Sequence, residues 1–369
     1  MEQDLFKILP SELTTDILSR LPLRSISISK CVCKPWLNLL QSDDFVKSIM
    51  KTPPALARLI PMTRNSTQCT IFGFKDEDKA DVESHDLHLH ALTDFDIPHG
   101  NSASIYRARQ TNGLLLLYSS VERHIYVCNP ITRQYIELCC PVEYISIYVL
   151  SLGFGVSKIS GQYKVVCINA FGSDPYSVYT LGTGTWRRVE TGPASGCKFD
   201  FHACVECSGN LHWIVYDSVK MSWICAFDLE TECFSIFSAP TVDGLAVDVK
   251  LNVWRDYLCL SYTLVDKVVI WLMKEYQVEE SWTIKYQIST IDFDWNTMNI
   301  YPIKIFKNGD VLMYPEEMGF IYYSNKTRTN RLVGMLTDTT SEDDIASFMI
   351  YTPSLFSLKN FGVEDVISF

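Results

Sequence analysis

The sequence predicts a mainly β protein with a small N-terminal α domain: a short helical segment followed by a β-propeller of about six blades. Three observations predict it. Residues 9–36 carry apolar side chains at helical spacing between proline stops. Beyond about residue 60 the helical period gives way to short alternating runs rich in aromatic and β-branched residues. Five turn pairs then recur with their second residues 48, 48, 47 and 53 positions apart.

The N-terminal elements come first. Pro10 suits an opening helical turn, where its missing N–H would be unpaired anyway. Leu13, Ile17 and Leu21 recur every four residues and mark one stripe of a helix that Pro22 ends. Ile26, Ser29-Lys30 and Val32-Cys33 fit a second short helix. Pro35 opens a third, with Trp36, Leu39 and Leu40 on one face. So short a piece cannot form a stable domain alone, so its apolar stripes point to a partner surface. Thr52-Pro53-Pro54 marks a boundary. The expected organisation is 1–50 helical, 51–60 linker and 61–369 propeller.

The repeat explains the rest of the chain. Asn112-Gly113, Ser160-Gly161, Ser208-Gly209, Arg255-Asp256 and Asn308-Gly309 each precede an apolar run of strand length. About ten residues after each such strand comes a strand–turn–strand segment: 124–138, 177–190, 224–237, 268–288 and 319–333. A unit of roughly 45–50 residues with four strands is the signature of a propeller blade. Residues 87–97 supply a sixth hairpin, with 345–358 as a closing strand beside it. A β-sandwich would rarely repeat so evenly.

Composition sets further bounds. The chain has 369 residues, 47% hydrophobic and 20% charged, with a net charge of −11. Residues 1–60 carry +2 and the remainder −13. An acidic body argues against nucleic-acid binding, which needs a basic footprint. The 13 cysteines are scattered without a framework, and no charged stretch followed by an apolar one opens the chain. A reducing compartment, cytoplasm or nucleus, is expected. The longest apolar runs, 114–118 and 268–273, are strand-sized, so no membrane span is expected.

Candidate chemistry is sparse. Cys204-Val205-Glu206-Cys207 has zinc-type spacing, but a structural site needs four ligands and no second such pair exists. In a strand the two thiols would face opposite ways. His85, His88 and His90 lie near Asp81, Glu83 and Asp86, a pattern that reads as a solvated loop. The acidic runs 76–83 and 341–344 read the same way. Gly153-Phe154-Gly155 lacks the third glycine of a dinucleotide loop and reads as a turn between strands. No local motif marks a nucleophile, metal or cofactor site, so no cofactor and no catalytic residue are expected.

Two sets of residues carry a family resemblance. Leu9-Pro10-Ser11-Glu12-Leu13, Leu21-Pro22-Leu23-Arg24-Ser25 and Cys31-Val32-Cys33-Lys34-Pro35-Trp36 resemble the F-box, by which a protein attaches to the adaptor Skp1 in a cullin–RING ubiquitin ligase. Asn112-Gly113-Leu114-Leu115, Asn129-Pro130-Ile131-Thr132-Arg133, Leu152-Gly153-Phe154-Gly155, Tyr163-Lys164-Val165-Val166, Leu211-His212-Trp213 and Ala226-Phe227-Asp228-Leu229 follow in order. They resemble the kelch-like F-box-associated interaction domain of plant F-box proteins. The resemblance spans nearly the whole chain. One departure stands at Ile26, Ser27, Ile28 and Ser29, where a leucine-rich segment is usual; such residues weaken a helix.

The resemblance implies a non-catalytic substrate receptor of an SCF-type ligase. Its partners would be a Skp1-type adaptor, cullin-1 and a RING protein through that adaptor, and an unknown substrate protein. The residues matching the adaptor-facing positions are Leu9, Pro10, Leu13, Ile17, Leu18, Pro22, Leu23, Val32 and Trp36, some of which would serve as internal struts. A Skp1-associated scaffold without ligase activity, and an S-locus-type receptor for a basic ribonuclease, stay open beside this reading.

Overall fold

Left-handed backbone at paired turn residues sets the repeat. In the computed structural model, Asn112 and Gly113 have φ of 45° and 81°, Ser208 and Gly209 56° and 78°, and Arg255 and Asp256 48° and 66°. Each pair joins two adjacent antiparallel strands. Positive φ at both central residues is the hairpin geometry whose twist matches the flanking strands. The structure describes residues 9–21, 23–40, 42, 45, 55–63, 66–74, 89–98, 105–119, 124–141, 150–169, 176–190, 192–216, 222–242, 246–291, 300–315, 320–333, 347–362 and 366–368.

Among the described residues, three short helices come first: α1 (Ser11–Ser19), α2 (Leu23–Ser29) and α3 (Lys34–Leu40). The second ends earlier than the spacing suggests, leaving Val32 and Cys33 outside it. Its serine-rich stretch is nonetheless helical, with the Ser29 hydroxyl donating to the Ser25 carbonyl at 2.7 Å. Among the described residues, no helix is long and apolar enough to cross a membrane.

Among the described residues the strands form six antiparallel sheets. Blade 1 contains β1 (Ala55–Thr63), β2 (Ser66–Phe74) and β3 (Leu89–Pro98). Blade 2 contains β4 (Ile105–Thr111), β5 (Leu114–Ser119), β6 (His124–Asn129) and β7 (Gln134–Cys139). Blade 3 runs β8 (Leu150–Val156), β9 (Tyr163–Asn169), β10 (Tyr176–Thr180) and β11 (Trp186–Arg188). Blade 4 runs β12 (Lys198–Cys207), β13 (Asn210–Tyr216), β14 (Ser222–Asp228) and β15 (Phe234–Ser238). Blade 5 runs β16 (Val247–Trp254), β17 (Tyr257–Thr263), β18 (Lys267–Met273) and β19 (Trp282–Ser289). Blade 6 runs β20 (Ile300–Ile305), β21 (Val311–Pro315), β22 (Phe320–Ser324) and β23 (Thr329–Val333). Finally β24 (Ser347–Tyr351) joins blade 1 and β25 (Ile367–Ser368) joins blade 2. These are the blades of a β-propeller, as many as the repeat spacing suggests.

Three local expectations are corrected. Residues 55–60 are not linker: β1 starts at Ala55 and pairs on both sides, with β2 and with β24. The segment 87–97 is one strand, β3, paired with β2 rather than folded as a hairpin. The closing strand does not lie beside it. The sheet order is β24-β1-β2-β3, with Ala55 opposite Tyr351, so the closing strand takes the other edge.

The chain divides into two compact units. The first comprises 1–74, 89–139 and 346–369, the second 75–88 and 140–345. In the first, Ala57, Cys69, Ile71, Leu115, Leu117 and Tyr351 meet in a core shared by blades 1 and 2. In the second, Trp213 anchors the packing of blade 3 on blade 4. Gly153 and Gly155 lie in β8, not in a turn. A Cβ on Gly153 would fall 2.7 Å from both Leu211 and Trp213, and one on Gly155 2.6 Å from Leu229. The glycines there permit close approach of two blades.

Polar contacts also cross these blades. Buried Lys164 lies 2.8 Å from the Glu232 carboxylate, which also pairs with Arg187, and donates to the Leu229 carbonyl. Wholly buried His212 has Nε2 2.8 Å from the Tyr276 hydroxyl. Cys204 and Cys207 enter different cores, the first with Trp213 and the second with Leu258 and Leu260. His85, His88 and both acidic runs lie outside the described residues, as does the side chain of His90.

Candidate functional site

The candidate site is the outward side of the N-terminal helices. Pro10 precedes α1 with φ −55° and ψ 147°, and its carbonyl accepts from the Thr14 N–H at 3.1 Å and the Thr14 hydroxyl at 3.2 Å. That bond fixes the first turn and divides the helix into two sides. Thr14 and Leu18 face inward, whereas Leu13 and Ile17 face outward at 52% and 51% exposure. Of the expected stripe Leu13, Ile17 and Leu21, the first two form the free side of α1, whereas Leu21 lies beyond the helix end and packs on the helical core. The exposed Arg20–Asp16 ion pair at 2.7 Å spans the last turn of α1.

The inward side builds a small core. Leu18, Ile26, Leu40 and Phe45 are buried together, with Leu21, Trp36 and Leu39 packed against them. Ile26 and Ile28 are two residues apart on α2, so they take opposite sides of a helix. Ile26 enters the core, and Ile28 is 61% exposed. Val32, four residues on, is 59% exposed. Between them, burial holds Lys30 below the ordinary lysine range.

The nine expected residues thus separate. Leu9, Pro10, Leu13, Ile17 and Val32 are exposed. Leu18 is fully buried and Trp36 half-buried in the helical core, so both act as struts. Pro22 lies outside the described residues, and Leu23 opens α2 with its side chain outside them. Ile28 was missed: the irregular 26–29 run hid its four-residue spacing to Val32, the signal that would have found it.

This surface suits docking rather than bond making. Aliphatic side chains held in water contribute about 1.5–3 kcal/mol each when a partner fully buries them. Among the described residues, no group of three or more His, Cys, Asp or Glu side chains could hold a metal ion.

Comparison with known proteins decides the family. The F-box domain family matches residues 6–48, and the F-box associated beta propeller domain family matches residues 60–358. The chain belongs to the F-box proteins with an associated β-propeller. Similar relatives come from Arabidopsis thaliana. At3g10240, described as an F-box protein, is 24% identical over 98% of this chain and 93% of its own length. F-box protein At3g07870 is 27% identical over 76% of this chain and 73% of its own length. F-box protein CPR1 is 28% identical over 74% of this chain and 71% of its own length. Among solved structures, a chain of the nidogen/laminin complex matches with a TM-score of 0.42 at 8% identity, over 76% of this chain and 94% of that one. An F-box implies a Skp1-type partner in general, and F-box proteins with propellers are typically adaptors rather than enzymes.

Proposed function

We propose that this F-box protein is the substrate-recognition subunit of an SCF-type E3 ubiquitin ligase, acting in the cytoplasm or nucleus. Residues 9–36 dock the Skp1-type adaptor, through which cullin-1 and a RING protein join. The propeller holds a target protein for ubiquitination and proteasomal degradation. The observation that carries the reading is the division of α1: Leu13 and Ile17 stay about half exposed although Thr14 and Leu18 already give the helix a buried inward side. A free-standing domain would gain nothing by exposing both.

The mechanism requires no chemistry from this chain. The ligase presents a charged ubiquitin-conjugating enzyme, and the receptor holds substrate lysines beside its thioester. The gain is effective concentration: a bimolecular transfer becomes intramolecular. Substrate specificity then resides in connections between strands, where residues vary without disturbing the blades.

Proximity labelling under proteasome inhibition tests the reading. The full chain is compared with a Leu13→Asp, Ile17→Asp variant. Cullin and RING proteins should be labelled with the full chain and lost with the variant, while substrate candidates persist or accumulate. Equal cullin labelling by both, or none by either, would overturn the proposal.

A further inference from the structure

The helical core is completed from the far end of the chain. Leu355 is 2% exposed and shares one cluster with Leu18, Ile26, Leu40 and Phe45, onto which Ile131 of the β6–β7 turn also packs. Leu355 belongs to the segment that follows β24, the strand at one edge of blade 1. That segment crosses the turns of blade 2. The Tyr351 hydroxyl donates to the Gly113 carbonyl at 2.8 Å. Ser354 lies so close to Gly113 that a Cβ there would fall 2.2 Å from its Oγ. The Asn129 amide donates to the carbonyls of Ser354 at 3.1 Å and Phe356 at 2.7 Å. Gln134 Oε1 accepts from the Ser357 hydroxyl and the Leu358 N–H, both at 3.0 Å. Past these contacts β25 pairs with β7, so the segment ends on the opposite edge of blade 2 from β4.

These contacts divide by type. The polar contacts of 354–358 go to blade 2, while Leu355 enters the helical cluster and is absent from the core shared by blades 1 and 2. A segment serving the blades alone would have no reason to place its apolar side chain among the helices. We infer that residues 352–358 form a strap that holds the docking helices in one orientation on blades 1 and 2, with Leu355 as the positioning residue. The inference rests on the reading of residues 9–36 as the adaptor-binding element. In the assembled ligase the strap would set where bound substrate stands relative to the conjugating enzyme, and so the effective concentration of its lysines.

Hydrogen exchange on the full-length protein tests this, comparing wild type with Leu355→Ala and Leu355→Met. In Leu355→Ala, amides of 11–40 should exchange at least tenfold faster while those of 114–139 keep their wild-type rates. Leu355→Met, which refills the seat, should restore protection. The strap is overturned if 11–40 exchanges as in wild type, or if 11–40 and 114–139 lose protection together, which would make Leu355 an ordinary blade residue. Retention of purified Skp1 is measured in parallel. Wild type that fails to retain Skp1 would sink the docking reading, while the exchange rates still decide the strap.

Discussion

Asn129 and Ser354 stand 225 positions apart, and the side-chain amide of the first donates to the main-chain carbonyl of the second at 3.1 Å. The same fully buried side chain accepts from the N–H groups of Ile131 at 2.9 Å and Thr132 at 3.3 Å. It therefore ties the β6–β7 turn to the returning chain end. Asn129→Ala leaves these partners without it in a buried place. The expected loss is about 2–4 kcal/mol, since each unsatisfied buried group costs about 1–3. The urea midpoint followed by circular dichroism checks it.

Gly113 and Gly161 both have positive φ, 81° and 69°, but different surroundings. At Gly161 an added Cβ meets nothing within 4 Å, whereas at Gly113 it meets the Ser354 side chain and, at 2.8 Å, its backbone nitrogen. Gly161→Ala should lose about 1–2 kcal/mol, the strain of left-handed backbone alone. Gly113→Ala should lose at least about 2 kcal/mol more, because the clash is with backbone that must shift. Paired thermal melts of the two variants measure the difference.

Burial lowers the His212 ring from its ordinary value of 6.5 to about 4. Below pH 6.5 the unfolded chain takes up this proton while the folded chain does not until about pH 4. Stability is therefore complete above pH 6.5 and falls with pH across that window. The loss is about 3 kcal/mol, at about 1.4 kcal/mol for each pH unit. His212→Gln should flatten the slope, read as urea midpoints at a series of pH values.

Glu232 has the opposite shift. Burial pushes its carboxyl up, but hydrogen bonds from Arg187 and Lys164 outweigh that and hold it below the ordinary carboxylate value of 4.5. Its contribution is complete above pH 4.5 and is lost as pH falls through the lowered value. Glu232→Gln leaves the buried Lys164 ammonium with the Leu229 carbonyl. Stability at neutral pH should fall by roughly 2–3 kcal/mol, below the full cost of breaking a buried pair because Arg187 is half exposed. Denaturant melts at pH 7 and pH 3.5 should show the variant's deficit shrinking at the lower pH.

The blades were legible because turn chemistry repeats. Asn112-Gly113 and Ser208-Gly209 announce hairpins by residue type, and the spacing carries Arg255-Asp256 into the set without a glycine. Contacts that join distant segments were not legible. Nothing local in Ser347–Tyr351 says whether it pairs with β1 or β3, and both would close the sheet. Gly153 and Gly155 suggest a turn, because the Leu211, Trp213 and Leu229 side chains that require them arrive from another blade. The docking helices were legible as a class, but period alone could not say which side of α1 faces out. Leu18 and Leu13 look alike until Leu355 arrives to bury one of them.

The most direct measurement is calorimetric titration of the purified full chain with a Skp1-type adaptor, repeated with Leu13→Asp, Ile17→Asp. Both residues are about half exposed, so the helical core is left intact, and a thermal melt of the variant checks that it is folded. The account predicts saturable binding by wild type and at least about tenfold weaker binding by the variant, since two half-exposed aliphatic contacts are lost, each worth about half of the roughly 1.5–3 kcal/mol of full burial. No binding by the folded wild-type chain, or equal binding by both, would contradict it.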